Sequence, residues 1–288
     1  MAELISVIVA TYNRQDALDA VLRGLSRQSD QGFEVVVADD GSGRATADLV
    51  ARWKGSLDIP LIHVWHEDRG FRLAEIRNRA IRACRGSYCI FLDGDCIPRM
   101  DFVAAHRRLA EPGWFVAGNR VLLSSYLTSE VLEGGLEPER WNFVDWIAAR
   151  LRGQVNRLVS MLSLPLGPLR KLQPDHWQTA RGGNVAIAKR DLIAIDGFEA
   201  AYRGWGREDS DIFIRLVRSG VRRKSGGFAT AVLHLWHREN DRSQLAENDA
   251  RLSALITNER TRAEQGLSIL ADGGSMEEIF AVRDWPRG

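Results

Sequence analysis

The sequence predicts an α/β protein with a doubly wound, mostly parallel sheet, and three observations support this fold class. Short β-branched apolar runs alternate with segments whose apolar residues recur at helical spacing, from Ile5 to Leu92. Polar residues follow each apolar run, as expected where ligands bind beyond the carboxyl ends of parallel strands. The 288 residues, 45% of them hydrophobic, are enough to bury a large core, which excludes disorder as the main state.

The first half of the chain alternates between strands and helices. A strand is predicted at Ile5–Thr11, followed by a helix through Ala17–Leu25 and a second strand at Glu34–Ala38. The same alternation continues with a helix at Ala45–Trp53, a strand at Leu61–Trp65, a helix at Leu73–Cys84 and a strand at Tyr88–Leu92. This order is typical of a parallel sheet that is flanked by helices.

The pattern changes after residue 112. We expect a long strand over Trp114–Ser124, a helical insertion over 130–172 and a short strand at Val185–Ala188. Further predicted elements are a helix near Arg190–Ile195, a helix ending at Val217, a strand from Phe228 to His234 and a helical tail. These patterns predict a domain over 1–240, made of a first half (1–112) and a second half (113–240), and a helical extension over 241–288.

The composition excludes several classes of protein. The 39 lysines and arginines balance 38 acids, so no bulk positive charge is present to hold nucleic acid. The three cysteines form no C-x-x-C pair and no disulfide framework, which favours a reducing compartment. The first residues lack a basic leader, and no apolar stretch approaches the roughly 20 residues that span a membrane. We therefore expect a cytoplasmic protein, with a peripheral contact at the inner face of the cytoplasmic membrane as an open alternative.

Residue types that bind metals end two separate apolar runs. Asp93 and Asp95 follow the last predicted strand of the first half and supply hard oxygen ligands, which suit Mg²⁺ or Mn²⁺. His234 and His237 end another β-branched segment, and an imidazole beside a carboxylate favours Mn²⁺ over Mg²⁺. An ordinary solvated turn and two structural histidines are the alternative.

A further acidic cluster, Gly204–Asp211, precedes an amphipathic helix. Glu208 and Asp209 lie there beside Trp205, which offers a flat face to a sugar. A carboxylate held in such a turn is suited to act as a general base that takes a proton from a hydroxyl group. The alternative is that these acids only stabilise the helix N-terminus through its dipole.

In this order the motifs resemble those of the GT-A glycosyltransferases of family 2. The likeness spans residues 4–240, and its later part is similar to the β-1,4-galactosyltransferases and bacterial chondroitin polymerase. The segments that carry it are Val7–Asn13, Val37–Ser42, Arg77–Asn78, Phe91–Pro98, Gly182–Asn184 and Gly204–Asp211. The resemblance implies a GT-A, Rossmann-like, mostly parallel sheet flanked by helices, with a helical insertion and a C-terminal helical tail.

The same resemblance implies an activity: inverting transfer of a sugar from a UDP-sugar donor to a hydroxyl group of a glycan or lipid-linked acceptor. Mn²⁺, or Mg²⁺ in its place, would be the cofactor, with Asp95 and His237 as ligands and His234 as a second, weaker ligand. Asp209 would take the proton from the acceptor hydroxyl, and Glu208 would hold the acceptor. We expect this chemistry to serve the synthesis of a bacterial surface polysaccharide or lipopolysaccharide.

The resemblance also assigns the donor and acceptor sites. Asp40, with Asp39, would read the uracil edge, Arg77 would lie near the diphosphate or the base, and Asp93 would face the ribose or the metal. The segment His66–Arg72 is similar to one near the donor site of the chondroitin polymerase branch, and a charged loop is the alternative. Further residues implied at the donor site are Thr11, Tyr12, Asn13, Arg14 and Gly183, and at the acceptor site Trp205 and Gly206.

Two interpretations stay open. Segment 141–172 carries five cations and a single acid, for a net charge of +4, so it either contacts an anionic membrane or covers the acceptor cleft. The fold by itself does not establish turnover, so a catalytically inactive nucleotide-sugar-binding or scaffold protein is the alternative to an enzyme. A nucleotidyltransferase is disfavoured, because no Gly-rich phosphate loop follows the first predicted strand.

Overall fold

The structure of the protein is a computed structural model, and it describes residues 4–239 and 241–272. In chain order, the strands are β1 (Ile5–Thr11), β2 (Phe33–Asp39), β3 (Leu61–Trp65), β4 (Tyr88–Asp93), β5 (Cys96–Pro98), β6 (Trp114–Ala117), β7 (Arg120–Leu122), β8 (Asn184–Ala188), β9 (Arg222–Ser225) and β10 (Val232–His234). The helices are α1 (Gln15–Ser26), α2 (Arg44–Ser56), α3 (Leu73–Ala83), α4 (Phe102–Leu109), α5 (Ser125–Leu132), α6 (Phe143–Leu151), α7 (Lys189–Ala194), α8 (Glu208–Arg218), α9 (Leu245–Thr257) and α10 (Ile269–Asp272).

Within the described residues, seven strands form a central sheet in the order β3-β2-β1-β4-β8-β6-β9. Neighbouring strands run parallel, except that β8 is antiparallel to both β4 and β6. A second sheet of order β5-β10-β7 lies beyond the carboxyl end of β4. The predicted mostly parallel α/β sheet is therefore confirmed.

Two hydrophobic cores cover the two faces of the central sheet. Side chains alternate across a strand, so Val7 and Val9 pack into one core while Ile8 packs into the other. The first core contains buried residues of α1, α2, α4, α5 and α6, and the second contains those of α3, α7 and α8. The helices thus form a layer on each face, and the strand ends remain accessible at the edges of the sheet.

The prediction of one strand over Trp114–Ser124 is wrong. The chain leaves the central sheet after β6 and enters the second sheet as β7. The change occurs where the Gly118 amide donates to the Asn184 carbonyl, which holds the chain against β8 as β6 ends. The predicted strand from Phe228 is also too long, because Phe228 has a φ of +58° and β10 begins only at Val232.

The helical prediction for the insertion 130–172 is largely wrong. After α5 ends, α6 is its only α-helix in the described chain, and the rest consists of loops and short 3₁₀ helices at Pro138–Arg140, Val159–Met161 and Gly167–Lys171. Pro165 and Pro168 lack the amide that a continuous helix requires. In the predicted tail, α9 and α10 are helical, and residues 273–288 lie outside the described part.

A buried carboxylate joins two strands and the loop before β4 at the edge of the sheet remote from the polar strand ends. Glu34 is fully buried and accepts hydrogen bonds from the Ser6 hydroxyl (2.7 Å), from the Arg85 amide and side chain (2.5 and 2.8 Å) and from the Gly86 amide (3.2 Å). Burial acts to raise the pKa of Glu34, but the hydrogen bonds from Ser6 and Arg85 outweigh it and leave the pKa below its usual value.

Replacing Glu34 with alanine is expected to lower the free energy of unfolding by about 2–3 kcal/mol at neutral pH, because buried donors lose a charged acceptor. Since the folded pKa is lowered, this stabilisation is complete above the carboxyl's ordinary pKa and is lost as the pH falls through the folded value. Urea unfolding at pH 7 and at pH 3 measures both effects. The exposed Glu259→Ala should change stability little, and an equal loss in both variants would contradict the assignment.

Candidate active site

The predicted metal ligands come together where the two sheets meet. Asp95 lies in the turn between β4 and β5, and His234 ends β10, which pairs with β5 so that His234 lies opposite Cys96. The Nε2 atoms of His234 and His237 are 3.7 and 3.4 Å from the Asp95 carboxylate oxygens. Potential ligand atoms of the three residues all lie within 4.8 Å of one another, although the histidines are far from Asp95 in sequence.

The electrostatics of this group suit a cation. Burial raises the pKa of Asp95, with Asp93 adding to the effect and the two histidines opposing it. Burial lowers the pKa of His234, so its imidazole is neutral at neutral pH, which is the form that ligates a metal. One carboxylate and two imidazoles fit Mn²⁺ better than Mg²⁺, which prefers oxygen ligands throughout.

Asp93 is held between two arginines. Its Oδ1 accepts from Arg77 Nη2 at 3.0 Å, and its Oδ2 lies 3.6 Å from Arg120 Nη1. The backbone of Gly183 packs on the same carboxylate, and a Cβ there would lie 1.9 Å from Asp93 Oδ2. Only glycine therefore leaves room for Asp93 in this position, which gives Gly183 a steric role beside the donor-binding role expected for it.

Arg77 is a buried link between two acidic groups rather than an exposed donor contact. It is about 1% exposed. Its Nη1 lies 3.5 Å from Glu208 Oε1, while Nη2 reaches Asp93. Burial, together with the neighbouring Asp209 charge, raises the pKa of Glu208 to about 7, against the opposing effect of Arg77. Glu208 is therefore poised between its charged and neutral forms at neutral pH.

Asp209 occupies the first turn of α8 and points back toward β8. Its Oδ2 accepts from the Gly182 amide (3.2 Å) and its Oδ1 from the Ser210 amide (2.7 Å). The turn before it depends on Arg207, which has a φ of +78°, in the left-handed region. The alternative role of these acids, to stabilise the helix N-terminus through its dipole, and a role as base are compatible at this position.

The two acids at the end of β2, Asp39 and Asp40, are buried and hydrogen-bonded to other parts of the protein. Asp39 is fully buried, and its oxygens contact the Ser42 amide (2.8 Å) and His63 Nε2 (2.9 Å). Asp40 is almost as buried and contacts His66 Nε2 (2.6 Å) and the Arg72 amide (2.8 Å). A uracil edge would thus meet carboxylates that already have protein partners. Asp40 anchors the two ends of the segment His66–Arg72, and residues 67–71 between them form an exposed loop.

Tyr12 and Asn13, which follow β1, also contact residues near the carboxyl end of β2. The Tyr12 hydroxyl donates to Asp68 Oδ2 (2.9 Å) while its ring remains half exposed. Asn13, with a φ of +46°, accepts from the Gly43 amide and so joins the turn after β1 to the turn after β2. Thr11 is buried beneath them. Arg14 pairs with Asp16 at the start of α1, and among the described residues its side chain forms no hydrogen bond or ion pair with the other predicted donor residues.

Residues after 240 lie over the loop that carries Trp205. Trp205 lies partly exposed between Gly204 and Gly206, both of which have positive φ, and the Arg242 guanidinium lies 5.1 Å from the centre of its ring. The Asn248 side chain also donates to the Arg203 carbonyl. One face of the ring expected to stack on a sugar is therefore shared with Arg242.

Comparison with known proteins fits this geometry. Residues 6–129 match the family model "Glycosyl transferase family 2", and residues 171–238, which include Asp209 and both histidines, match "N-terminal domain of galactosyltransferase". Residues 6–129 thus form a glycosyl transferase family 2 domain. The resemblance seen in the sequence is thereby confirmed.

The curated relatives that this chain matches are longer than it is. Validoxylamine A glucosyltransferase of Streptomyces hygroscopicus subsp. limoneus is 31% identical over 233 residues, covering 76% of this chain and 49% of the relative. Chondroitin synthase of Escherichia coli is 27% identical over 237 residues, covering 75% of this chain and 32% of the relative. The chain thus spans about half or less of these two relatives.

Solved structures share the GT-A fold. The mannosyltransferase PcManGT of Pyrobaculum calidifontis, in complex with GDP-Man and Mn²⁺, superposes with a TM-score of 0.54 at 18% identity, over 96% of this chain and 77% of that one. S. aureus TarS 1–349 in complex with UDP gives 0.53 at 15% identity, over 92% and 68%. Every helix among the described residues is too short or too polar to cross a bilayer.

Two arginines at the site were missed by the sequence analysis. Arg120 begins β7 and faces Asp93, and Arg242 precedes α9 and covers Trp205. Arg120 is a charged residue inside the mostly apolar stretch Trp114–Ser124, and this was the available signal. The prediction of a single strand over the stretch left that signal unused. No local signal marked Arg242, which lies in a polar tail.

Proposed function

We propose that this protein is a metal-dependent inverting glycosyltransferase that moves a sugar from a UDP-sugar to a hydroxyl group of a glycan or lipid-linked acceptor. The observation that carries the proposal is the placement of two groups around one carboxylate. Asp93 lies beside the Asp95–His234–His237 group and is linked through Arg77 to Glu208, which adjoins Asp209. The contacts of Asp93 with Arg77 and of Arg77 with Glu208 thus connect a candidate metal site to a candidate base.

Each residue of this arrangement has a separate task in the proposed reaction. Asp95, His234 and His237 would hold the divalent cation, which when bound neutralises the charge that grows on the leaving diphosphate. Asp209 would take the proton of the acceptor hydroxyl, since an alcohol is a poor nucleophile at neutral pH. Glu208 would hold the acceptor, and Arg77 would orient Glu208 and Asp93 from beneath. The proposed reaction uses Asp209 as its one base and assigns no carboxylate as a nucleophile, which corresponds to a single displacement with inversion.

The relatives support the donor and metal parts of the proposal. The TarS structure contains UDP, and the mannosyltransferase structure contains GDP-Man and Mn²⁺. Chondroitin synthase and a putative teichuronic acid biosynthesis glycosyltransferase of Bacillus subtilis are among the similar proteins, which favours a bacterial surface polysaccharide as the product. A peripheral contact with an anionic membrane is the remaining part of the proposal, because a lipid-linked acceptor would be met there.

Removal of the metal is expected to abolish transfer. A metal supplies several kcal/mol to the transition state, so EDTA or Asp95→Ala should lower UDP release from the preferred UDP-sugar by at least about a hundredfold. Calorimetric titration with Mn²⁺ should show binding to the wild type and not to Asp95→Ala. The matched variant Asp58→Ala, at an exposed position before β3, should keep both properties. Full turnover in EDTA would contradict metal dependence.

A further inference from the structure

Helix α6 carries apolar side chains on both its faces. Trp146 and Ala149 point inward and belong to the first core. The outer face is nevertheless apolar, with exposed fractions of 51% for Phe143, 71% for Val144, 37% for Ile147 and 83% for Leu151. At about 100° per residue these four side chains cover a continuous arc of the helix. Because α6 is apolar on its outer face as well as on its buried face, the outer face is a candidate for contact with a second partner.

Cations without acidic partners follow this face. Arg150, Arg152 and Arg157 are exposed, and none forms an ion pair within residues 4–239 and 241–272. The helix's one acid, Asp145, is exposed, but its carboxylate is engaged in the helix's own capping box, where it accepts from the Asn142 amide at 3.0 Å. The outer surface therefore combines large apolar side chains with unopposed positive charge, which matches the headgroup region of an anionic bilayer.

The segment after α6 is attached to the strand that leads to the candidate active site. Asn156 Oδ1 accepts from the Leu122 amide at 3.0 Å, and Val155 forms a bridge with Leu123. Leu122 is in turn the register partner of His234 on β10. Helix α6 is thus joined, through Val155 and Asn156, to the small sheet that carries the predicted metal ligand His234.

We propose that the outer face of α6 docks the protein on an anionic lipid bilayer. Phe143, Val144, Ile147 and Leu151 enter the boundary between headgroups and acyl chains, and Arg150, Arg152 and Arg157 contact the lipid phosphates. The proposal of docking is argued from the surface of α6 alone and does not depend on the proposed activity. That it serves to present a lipid-linked acceptor rests on the proposed function.

Co-sedimentation of the full chain with vesicles tests the apolar part of this surface. The probe is a vesicle of 70% phosphatidylcholine and 30% phosphatidylglycerol, without donor or metal. Replacing Phe143, Ile147 and Leu151 with serine is expected to weaken binding by more than about a hundredfold, because three large side chains lose their apolar surroundings. The matched control replaces Ile193, Ile256 and Ile269, which are similarly exposed on other helices, with serine and should bind as the wild type does.

The charged part is tested with a second pair of variants. Each arginine near the surface strengthens binding about fivefold, so replacing Arg150, Arg152 and Arg157 with glutamine should weaken it about a hundredfold. Replacing three exposed arginines elsewhere, Arg44, Arg190 and Arg251, with glutamine should leave it unchanged. Vesicles of phosphatidylcholine alone, or salt raised to about 0.5 M, should weaken wild-type binding to a similar extent.

Either of two results with vesicles would overturn the proposal. No binding of the wild type to anionic vesicles at low salt, or unchanged binding of the triple serine variant, would reject the α6 face as the docking surface. A concentration-dependent dimer in analytical ultracentrifugation that the triple serine variant abolishes, without vesicle binding, would assign the face to a second copy of the chain. Because all substituted side chains are exposed, circular dichroism should show the same fold in every variant. Since the assay requires no turnover, failure of docking and failure of the proposed transferase activity are separate outcomes.

Discussion

Replacing Asp209 with asparagine is expected to lower the turnover number of sugar transfer by about 10²–10⁴-fold, because the acceptor hydroxyl loses its general base. The affinity for UDP should change little, since Asp209 is hydrogen-bonded to Gly182 and Ser210 and belongs to the acceptor side of the proposed site. Initial rates at saturating donor and acceptor, together with UDP binding by calorimetry, separate the two quantities. Asparagine retains the shape of the side chain, so α8 should remain folded.

The assignment of the base has a close competitor in Glu208. Its pKa of about 7 also suits proton transfer at neutral pH. If Glu208→Gln lost far more turnover than Asp209→Asn, the base would be Glu208. The matched control is Asp249→Asn, which removes an exposed acid that pairs with Arg207 near the same turn and should leave turnover within a few-fold. Retention of the anomeric configuration, measured by NMR of the product, would exclude the single displacement.

Replacing Arg215 with alanine is expected to give the largest loss of stability, about 3–5 kcal/mol. Arg215 and Asp211 are both fully buried and form an ion pair of 2.6 Å within α8. Arg215 also donates to the carbonyls of Ile195 and Gly197, at 2.8 Å each. Burial raises the pKa of Asp211, and Arg215 is the main opposing influence, so the variant leaves this buried acid with only the more distant Arg260, at 3.8 Å, as a cation. Guanidinium unfolding at neutral pH measures the loss.

A double variant distinguishes a lost interaction from a lost side chain. Replacing the pair with apolar residues of similar volume, as Asp211→Leu with Arg215→Met, should recover much of the stability, because no buried charge is left unpaired. Arg218→Ala, nearer the end of the same helix, should cost clearly less than Arg215→Ala, since Arg218 lies only partly buried. A loss below about 1 kcal/mol for Arg215→Ala would show that Asp211 is readily solvated or protonated.

The first half of the fold could be predicted from the sequence because its signals are local. Strands β1 and β3 have the predicted bounds, and β4 differs only by including Asp93. Each is a short apolar run whose neighbours along the chain supply the helices that cover it. Parallel βαβ connections then leave few ways to arrange the strands, so the order of elements nearly determines the sheet.

The second half depends on contacts between residues distant in sequence. Strand β9 reads Arg-Arg-Lys-Ser and has no apolar pattern, yet it pairs with β6 at the edge of the sheet. The stretch Trp114–Ser124 is mostly apolar on both sides of Gly118 and Asn119, but its two parts belong to different sheets. In both cases a partner strand, not the local pattern, decides the structure, as is usual for short edge strands.

The sequence by itself determined the fold class, the family resemblance and the positions of the acids and histidines at strand ends, because strand periodicity and motif spacing are properties of neighbouring residues. Only the tertiary structure decided what each charged group does. It set Asp211 against Arg215 in the core while leaving Asp209 at the helix start, brought Arg120 to Asp93, and placed both histidines beside Asp95. The physical reason is that burial and the pairing of charges depend on which elements pack together, and a one-dimensional pattern does not contain those contacts.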